Sequence, residues 1–189
     1  MLNTPQVAPP KPKVKGFICV NTHPEGCYQN VDEQIAYARS QPFEGAKTAL
    51  IIGCSSGYGL ASRIALSFGS NTDTLGVYFD RAPSEKRSAG AGWYNNQHLE
   101  QRAAQQGLAA HSLNLDAFQP GAKAEVIQKL KATIGQVDLV IYSLASPRRY
   151  IADEDKWYNS VLKPVGQAFH GKTIDTDKGL IKPIDIEAA

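Results

Sequence analysis

Four nearly continuous apolar runs, KTALIIG (47–53), TLGVYF (74–79), AAHSLNL (109–115) and VDLVIYSL (137–144), alternate along the chain with helical patterns at 57–68, roughly 92–106 and 120–134. Runs this apolar belong to strands buried on both faces. A parallel sheet provides that burial, because right-handed crossovers lay a helix over each side. The expected fold is α/β, a doubly wound parallel sheet. In such a sheet the ligand crevice lies beyond the carboxyl ends of the strands, so the residues that follow each strand carry the chemistry.

What surrounds this alternation narrows the class further. A chain of 189 residues with 42% apolar content is long enough to bury one sizeable core. Its net charge of +2 is spread along the chain, which offers no concentrated basic face for nucleic acid. No apolar run approaches the roughly 20 residues of a membrane span, and prolines stand where a signal peptide needs its apolar region, so a cytoplasmic location is expected. Cys19, Cys27 and Cys54 are odd in number and lack a close C-x-x-C pair, which suggests neither a disulfide framework nor a zinc site. His23 and Cys27 would need a helix to come together, and Pro24 and Gly26 discourage one. No metal site is expected.

Residues 1–15, proline-rich and polar, read as a loose arm, and 16–27 as a short strand and a turn. A helix is expected over 31–41 with Asn30 as N-cap and Val31, Ile35 and Ala38 on one face.

After the first strand comes Gly53-Cys54-Ser55-Ser56-Gly57-Tyr58-Gly59, then an apolar helix marked by Ala61, Ile64, Ala65 and Phe68. The first glycine permits a tight turn, the later ones permit close backbone approach, and the free N–H groups at the helix start face a pyrophosphate. Strand context before and helix context after favour phosphate binding over a plain glycine-rich turn. The second strand ends in Phe79-Asp80, and an acid there accepts the ribose hydroxyls and repels a 2′-phosphate, favouring NADH over NADPH. Arg81 next door weakens that preference, and a solvated Asp capping a loop is the plainer alternative. The 27 positions from Gly53 to Asp80 exceed the usual interval of about 20, so the first helix or its loop must be extended. Asp116, after the third strand, either receives the adenine amino group or makes an N-cap or Asx-turn. After the fourth strand, Ser143-Leu144-Ala145-Ser146-Pro147 is small and apolar; such residues let a ribose lie against the backbone, and they equally suit any tight loop.

These residues also carry a resemblance. The segments HPEGC (23–27), GCSSGYG (53–59), GAGWYNN (90–96), LDAF (115–118), YSLASP (142–147) and LKPVGQAF (162–169) resemble the FabV-type NADH-dependent trans-2-enoyl reductases of fatty acid synthesis, oxidoreductases that act on enoyl thioesters of coenzyme A or acyl carrier protein. GCSSGYG alone indicates the wider Rossmann-like short-chain dehydrogenase/reductase pattern; HPEGC, GWYN and YSLASP narrow it. The resemblance implies that Gly53, Cys54, Ser55, Ser56, Gly57 and Tyr58 hold the pyrophosphate, Phe79 and Asp80 the adenosine, Asp116 and Ala117 the adenine side, and Leu144 and Ala145 the inner part of NADH. Asp80 stands where relatives usually carry Glu. Cys54 replaces the usual Ala, which makes it a candidate alkylation site beside the cofactor, with an unreactive buried thiol as the alternative.

The same family implies a catalytic Tyr-x8-Lys pair, in which the tyrosine supplies a proton donor to the enolate oxygen. None of the eight tyrosines has a lysine four, seven or nine residues on; Tyr158 and Lys163, five apart, read as exposed side chains on a loop-to-helix segment. No catalytic residue is therefore assigned. The chain is expected to represent an amino-terminal half: 16–189 as a dinucleotide-binding portion, the catalytic and acyl-binding portion absent, and the sheet incomplete at its carboxyl-terminal side. Such a chain should lack significant enoyl reductase turnover by itself and be weakly stable or associate through an open sheet edge, with itself or with a carboxyl-terminal half. A non-catalytic nucleotide-binding module is the alternative reading.

Overall fold

A computed structural model describes residues 11–15, 18, 19, 21–85 and 87–189. Most of the expected arm, residues 1–10, and parts of the expected strand at 16–27 lie outside them. Among the described residues the chain divides into two units, one running to Ala145 and the other comprising Ser146–Ala189 with Ile18.

In the first unit the elements are β1 (Val14–Lys15), Cys19 of the two-residue β2 (Ile18–Cys19), α1 (Pro24–Ser40), β3 (Thr48–Ile52), α2 (Gly57–Ile64) with a π-helical continuation over Ala65–Gly69, β4 (Asp73–Tyr78), α3 (Ala91–Ala104), β5 (Ala110–Asn114), α4 (Ala122–Ala132) and β6 (Leu139–Tyr142). The four longer strands pair in parallel in the order β5-β4-β3-β6. That is the doubly wound arrangement the apolar runs imply.

Alternation along the strands supplies both faces. Leu50, Leu75 and Val77 pack with Leu115 and with Ala122 and Val126 of α4. Ala49, Ile51 and Tyr78 turn to the opposite face, where Leu66, Trp93, Leu139 and Ile141 meet them. Further out, Val31, Ile35 and Ala38 of α1 pack with Leu60, Ile64 and Phe68 and with Leu99 and Ala103 of α3. The periodic face expected for the first helix is thus the buried one.

Two helix starts differ from expectation. Helix α1 begins at Pro24, not after Asn30: proline is tolerated at the first helical position, and the His23 ring nitrogen caps the helix by accepting the Gly26 N–H at 3.0 Å. The segment expected to be a turn is the helix's first turn. Helix α4 starts at Ala122, two residues past the expected 120, with Gly121 at φ 86° as its N-cap, so Asp116 does not cap it. On α2 the buried face carries Leu60, Arg63 and Ile64, while Ala61 is exposed. The 27 positions between Gly53 and Asp80 are spanned by α2 with its continuation to Gly69, a short link through Asn71 with φ 55°, and the whole of β4.

The second unit is built of hairpins. Strands β7 (Arg148–Ile151) and β8 (Lys156–Asn159) pair antiparallel, as do β9 (Phe169–Asp175) and β10 (Leu180–Ile186). Tyr158 therefore lies on a strand and no helix follows it, which corrects the expected loop-to-helix segment. Aromatic and β-branched residues such as Tyr150, Ile151, Trp157, Tyr158, Ile174 and Ile184 favour strands here, and the two turns close hairpins of unequal length. Among the described residues, no helix is long and apolar enough to cross a membrane.

Candidate dinucleotide site

Strand β3 delivers the chain into Gly53, whose φ of 95° is open to glycine and strained for other residues. A Cβ there would stand 2.0 Å from the Ser143 carbonyl oxygen, so the turn lies directly against the chain leaving β6. Gly59 does the same service for the helix: a Cβ on it would sit 2.1 Å from the Gly53 carbonyl oxygen. These two glycines let α2 start immediately over the turn. Gly57, with φ 56°, has open space where a Cβ would project.

The first N–H groups of a helix have no intrahelical acceptor, and Ser56, the N-cap of α2, makes no side-chain capping bond to them. The start of α2 therefore presents donors and the positive end of a dipole at an open cradle, with Tyr58 beside it 91% exposed. Cys54 is different. Its side chain is fully buried, its thiol donates to the Val77 carbonyl at 3.5 Å and to Asn96 Oδ1 at 3.4 Å, and burial pushes its pKa up. The buried-thiol alternative is the one the geometry favours, and this residue offers the cradle only its backbone.

Asp80 lies beside the cradle. Its Oδ2 accepts the Gly92 N–H at 2.7 Å, its Oδ1 accepts the Arg81 N–H at 2.7 Å, and a Cβ on Gly92 would touch both Ser55 and Asp80 Oδ2. The carboxylate thus caps α3 from a distance and shares Gly92 with the glycine loop. An ionised carboxylate has about four acceptor sites, so two remain for hydroxyl donors. The Arg81 guanidinium donates to the Ser88 carbonyl at 3.1 Å. Burial first and the Asp80 charge second push up the pKa of the Cys27 thiol, on the first turn of α1.

The neighbouring strand ends complete the rim. Phe79 is 69% exposed. Asn114 clasps the Asp80 backbone, accepting its N–H at 2.9 Å and donating to its carbonyl at 2.8 Å. Asp116 Oδ1 accepts the Phe118 N–H at 2.9 Å, an Asx-turn, with Ala117 half-buried beside it. Leu144 reaches the turn, its Cδ2 lying 2.9 Å from where a Gly53 Cβ would be, and Ala145 follows exposed.

The residues missed in the sequence are Asn95, Asn96, Asn114 and Arg63. Asn95 and Asn96 donate to the carbonyls of Ser55 and Cys54, both at 3.0 Å. Their signal was present: Gly92, Asn96, Leu99 and Ala103 share one face of α3, so an amide occupies a core position and must be satisfied internally.

Comparison with known proteins places this geometry. Residues 87–189 match the family model for the trans-2-enoyl-CoA reductase catalytic region, and residues 10–85 match that for the NAD(P)H binding domain of trans-2-enoyl-CoA reductase. Proteins named enoyl-[acyl-carrier-protein] reductase [NADH] from Idiomarina loihiensis and Pseudoalteromonas atlantica are 50% and 53% identical over 181 residues, which is 95% of this chain and 46% of each relative. The crystal structure of Treponema denticola trans-2-enoyl-CoA reductase in complex with NAD is 42% identical with a TM-score of 0.82, covering 96% of this chain and 47% of that one. The Clostridium acetobutulicum trans-2-enoyl-CoA reductase in complex with NADH gives 37% and 0.81, covering 96% and 46%. The chain spans less than half the length of these relatives.

Proposed function

The chain belongs to the trans-2-enoyl-CoA reductase family, and from that premise we propose that its strand ends bind NADH as part of an oxidoreductase that reduces the 2,3-double bond of enoyl thioesters of coenzyme A or acyl carrier protein in the cytoplasm. One observation supports the cofactor assignment above the rest. The Asp80 carboxylate and the Ser55 segment of the glycine loop meet at Gly92, so a carboxylate for ribose hydroxyls stands beside a row of N–H donors for a diphosphate. In this reading Gly53, Cys54, Ser55, Ser56, Gly57 and Tyr58 line the diphosphate through backbone groups. Phe79 and Asp80 take the adenosine, Asp116 and Ala117 its adenine side, and Leu144 and Ala145 the inner half.

Bound NADH supplies a hydride to the β-carbon of the enoyl group. The chain's own residues bind and orient it, and the Asp80 charge disfavours a 2′-phosphate. No tyrosine of the sequence has a lysine four, seven or nine positions on, so no residue here is assigned to protonate the enolate. That feature favours a second reading for the polypeptide taken alone, a nucleotide-binding portion without turnover that acts when joined by a carboxyl-terminal half. Saturable quenching or enhancement of NADH fluorescence, with no NADH oxidation on addition of crotonyl-CoA, is the expected result. Absence of saturable binding overturns the cofactor assignment, and steady oxidation overturns the second reading.

A further inference from the structure

Behind the glycine loop lies a fully buried arginine. Arg63 on α2 donates through Nη1 to Asn96 Oδ1 at 2.7 Å and to Ser112 Oγ at 2.8 Å, through Nη2 to the His111 carbonyl at 2.6 Å, and through Nε to Thr74 Oγ1 at 3.3 Å. Among the described residues no carboxylate pairs with it. A buried cation held by neutral acceptors alone is costly, and one whose partners are this fully matched has a defined geometry to impose.

That geometry fixes the amide of Asn96. Its Oδ1 accepts from Arg63 and from the Cys54 thiol, and its Nδ2 donates to the Cys54 carbonyl at 3.0 Å and the Gly92 carbonyl at 2.8 Å. Turning the amide over would set its oxygen against two carbonyl oxygens and its NH2 group against the guanidinium, so one orientation is specified. Asn95 adds a parallel bond to the Ser55 carbonyl. Two successive carbonyls of the glycine loop are thereby drawn toward α3 and away from the open cradle. Peptide planes are rigid, so a carbonyl drawn one way turns the next residue's N–H the other way.

We propose that Asn95 and Asn96, with Arg63 locking the latter, are positioning residues for the dinucleotide: they hold the carbonyls of Cys54 and Ser55 inward so that the N–H groups of Ser55 and Ser56 meet the diphosphate. This inference rests on the NADH reading above. It assigns a function to the GWYNN segment beyond packing.

The discriminating variant is Asn96→Asp in the full 189-residue chain, measured by NADH fluorescence titration and by thermal unfolding without cofactor. A carboxylate pairs with Arg63 and retains the internal bond, while its second oxygen loses the two donated bonds; the gain and the loss oppose each other, so the unfolding midpoint is expected to stay near the parent's. The same carboxylate presents an acceptor to the Cys54 and Gly92 carbonyls, so the NADH dissociation constant is expected to rise about tenfold, ~1.4 kcal/mol. A purely structural role moves midpoint and affinity together; the positioning role moves affinity with the midpoint retained. Asn95→Ala, which removes one bond nearer the rim, is expected to weaken NADH about threefold. Unchanged affinity in Asn96→Asp, beside a parent chain that binds, overturns the inference alone. If Asn96→Asp fails to fold, unchanged affinity in Asn95→Ala does so. A parent chain that does not bind NADH overturns the cofactor reading on which the inference stands.

Discussion

The Asp80 carboxylate accepts the backbone N–H of Gly92 at 2.7 Å, joining the end of β4 to the first turn of α3. It also explains the neighbouring glycine, because a Cβ on Gly90 would fall 1.7 Å from Asp80 Oδ1. Gly90→Ala is therefore expected to displace the carboxylate. NADH affinity should fall about tenfold, with a stability loss of about 1–3 kcal/mol from overpacking. Asp80→Ala removes the cap and the ribose acceptor together; it should cost about 1 kcal/mol of stability and narrow the preference for NADH over NADPH. Titrations of both cofactors, with urea unfolding in parallel, check both variants. An unaltered cofactor preference in Asp80→Ala would show that the carboxylate only caps α3.

Burial, not cofactor proximity, governs Cys54. All three cysteines are free, with Cys19 exposed and Cys54 buried, and burial raises the Cys54 thiol so that the reactive thiolate is disfavoured. Brief iodoacetamide treatment of the native chain is expected to modify Cys19 first and to spare Cys54 until urea unfolds the protein. Peptide mass spectrometry reads this directly, and rapid native labelling of Cys54 would contradict the observed packing.

How far the sequence was legible follows from where the signals lie. The β3, β4, β5 and β6 runs were read from their apolar continuity, and α1 from the Val31, Ile35, Ala38 face, because periodicity reports burial. Its start was missed because Pro24 looked like a breaker, whereas at the first helical position it is compatible with a helix. The hairpins of 148–186 escaped because their residues are mostly exposed and carry little alternation. At the site, Gly53, Gly57 and Asp80 were visible as residue types fitted to a turn and a carboxylate. Arg63 and Asn96 were not, since polar residues on an apolar helix face are readable as partners only once the strands opposite them are known.

Helices α1 and α3 are joined by a carboxylate shared between two bases. Asp32 accepts from Arg102 through Nε at 2.7 Å and Nη2 at 2.6 Å, and from His98 Nε2 at 2.9 Å, while Tyr28 stacks on His98 at 4.7 Å. The Arg102 bonds chiefly, with His98 assisting, hold the Asp32 carboxyl below its usual value. A depressed carboxyl stabilises the fold above the unfolded value of about 3.9 and loses that contribution as pH falls through the lower, folded value. The side chain is 37% exposed, so the contribution is about 1 kcal/mol. Asp32→Asn is expected to be destabilised by that amount at neutral pH in urea titrations, and to match the parent once both are acidified well below the carboxylate range. A difference that persists unchanged in acid would assign the effect to packing.

At the margin of the sheet, β6 pairs with β3 on one side, and among the described residues nothing pairs with the other. The face it shares with α4 is also open there, with Val140 55% and Tyr142 65% exposed. An unpaired parallel strand with apolar side chains on an uncovered face is a template for another strand. We expect the chain to self-associate through β6, or to accept a separately expressed carboxyl-terminal half at the same margin. Val140→Lys and Tyr142→Lys should lower concentration-dependent sedimentation, because each places a charge where association would bury it. Tyr37, equally large and exposed on α1, serves as the control, and Tyr37→Lys should leave association unchanged. A chain that sediments as a monomer at every concentration, and recruits no carboxyl-terminal half on co-expression, would show that this margin is not an interface.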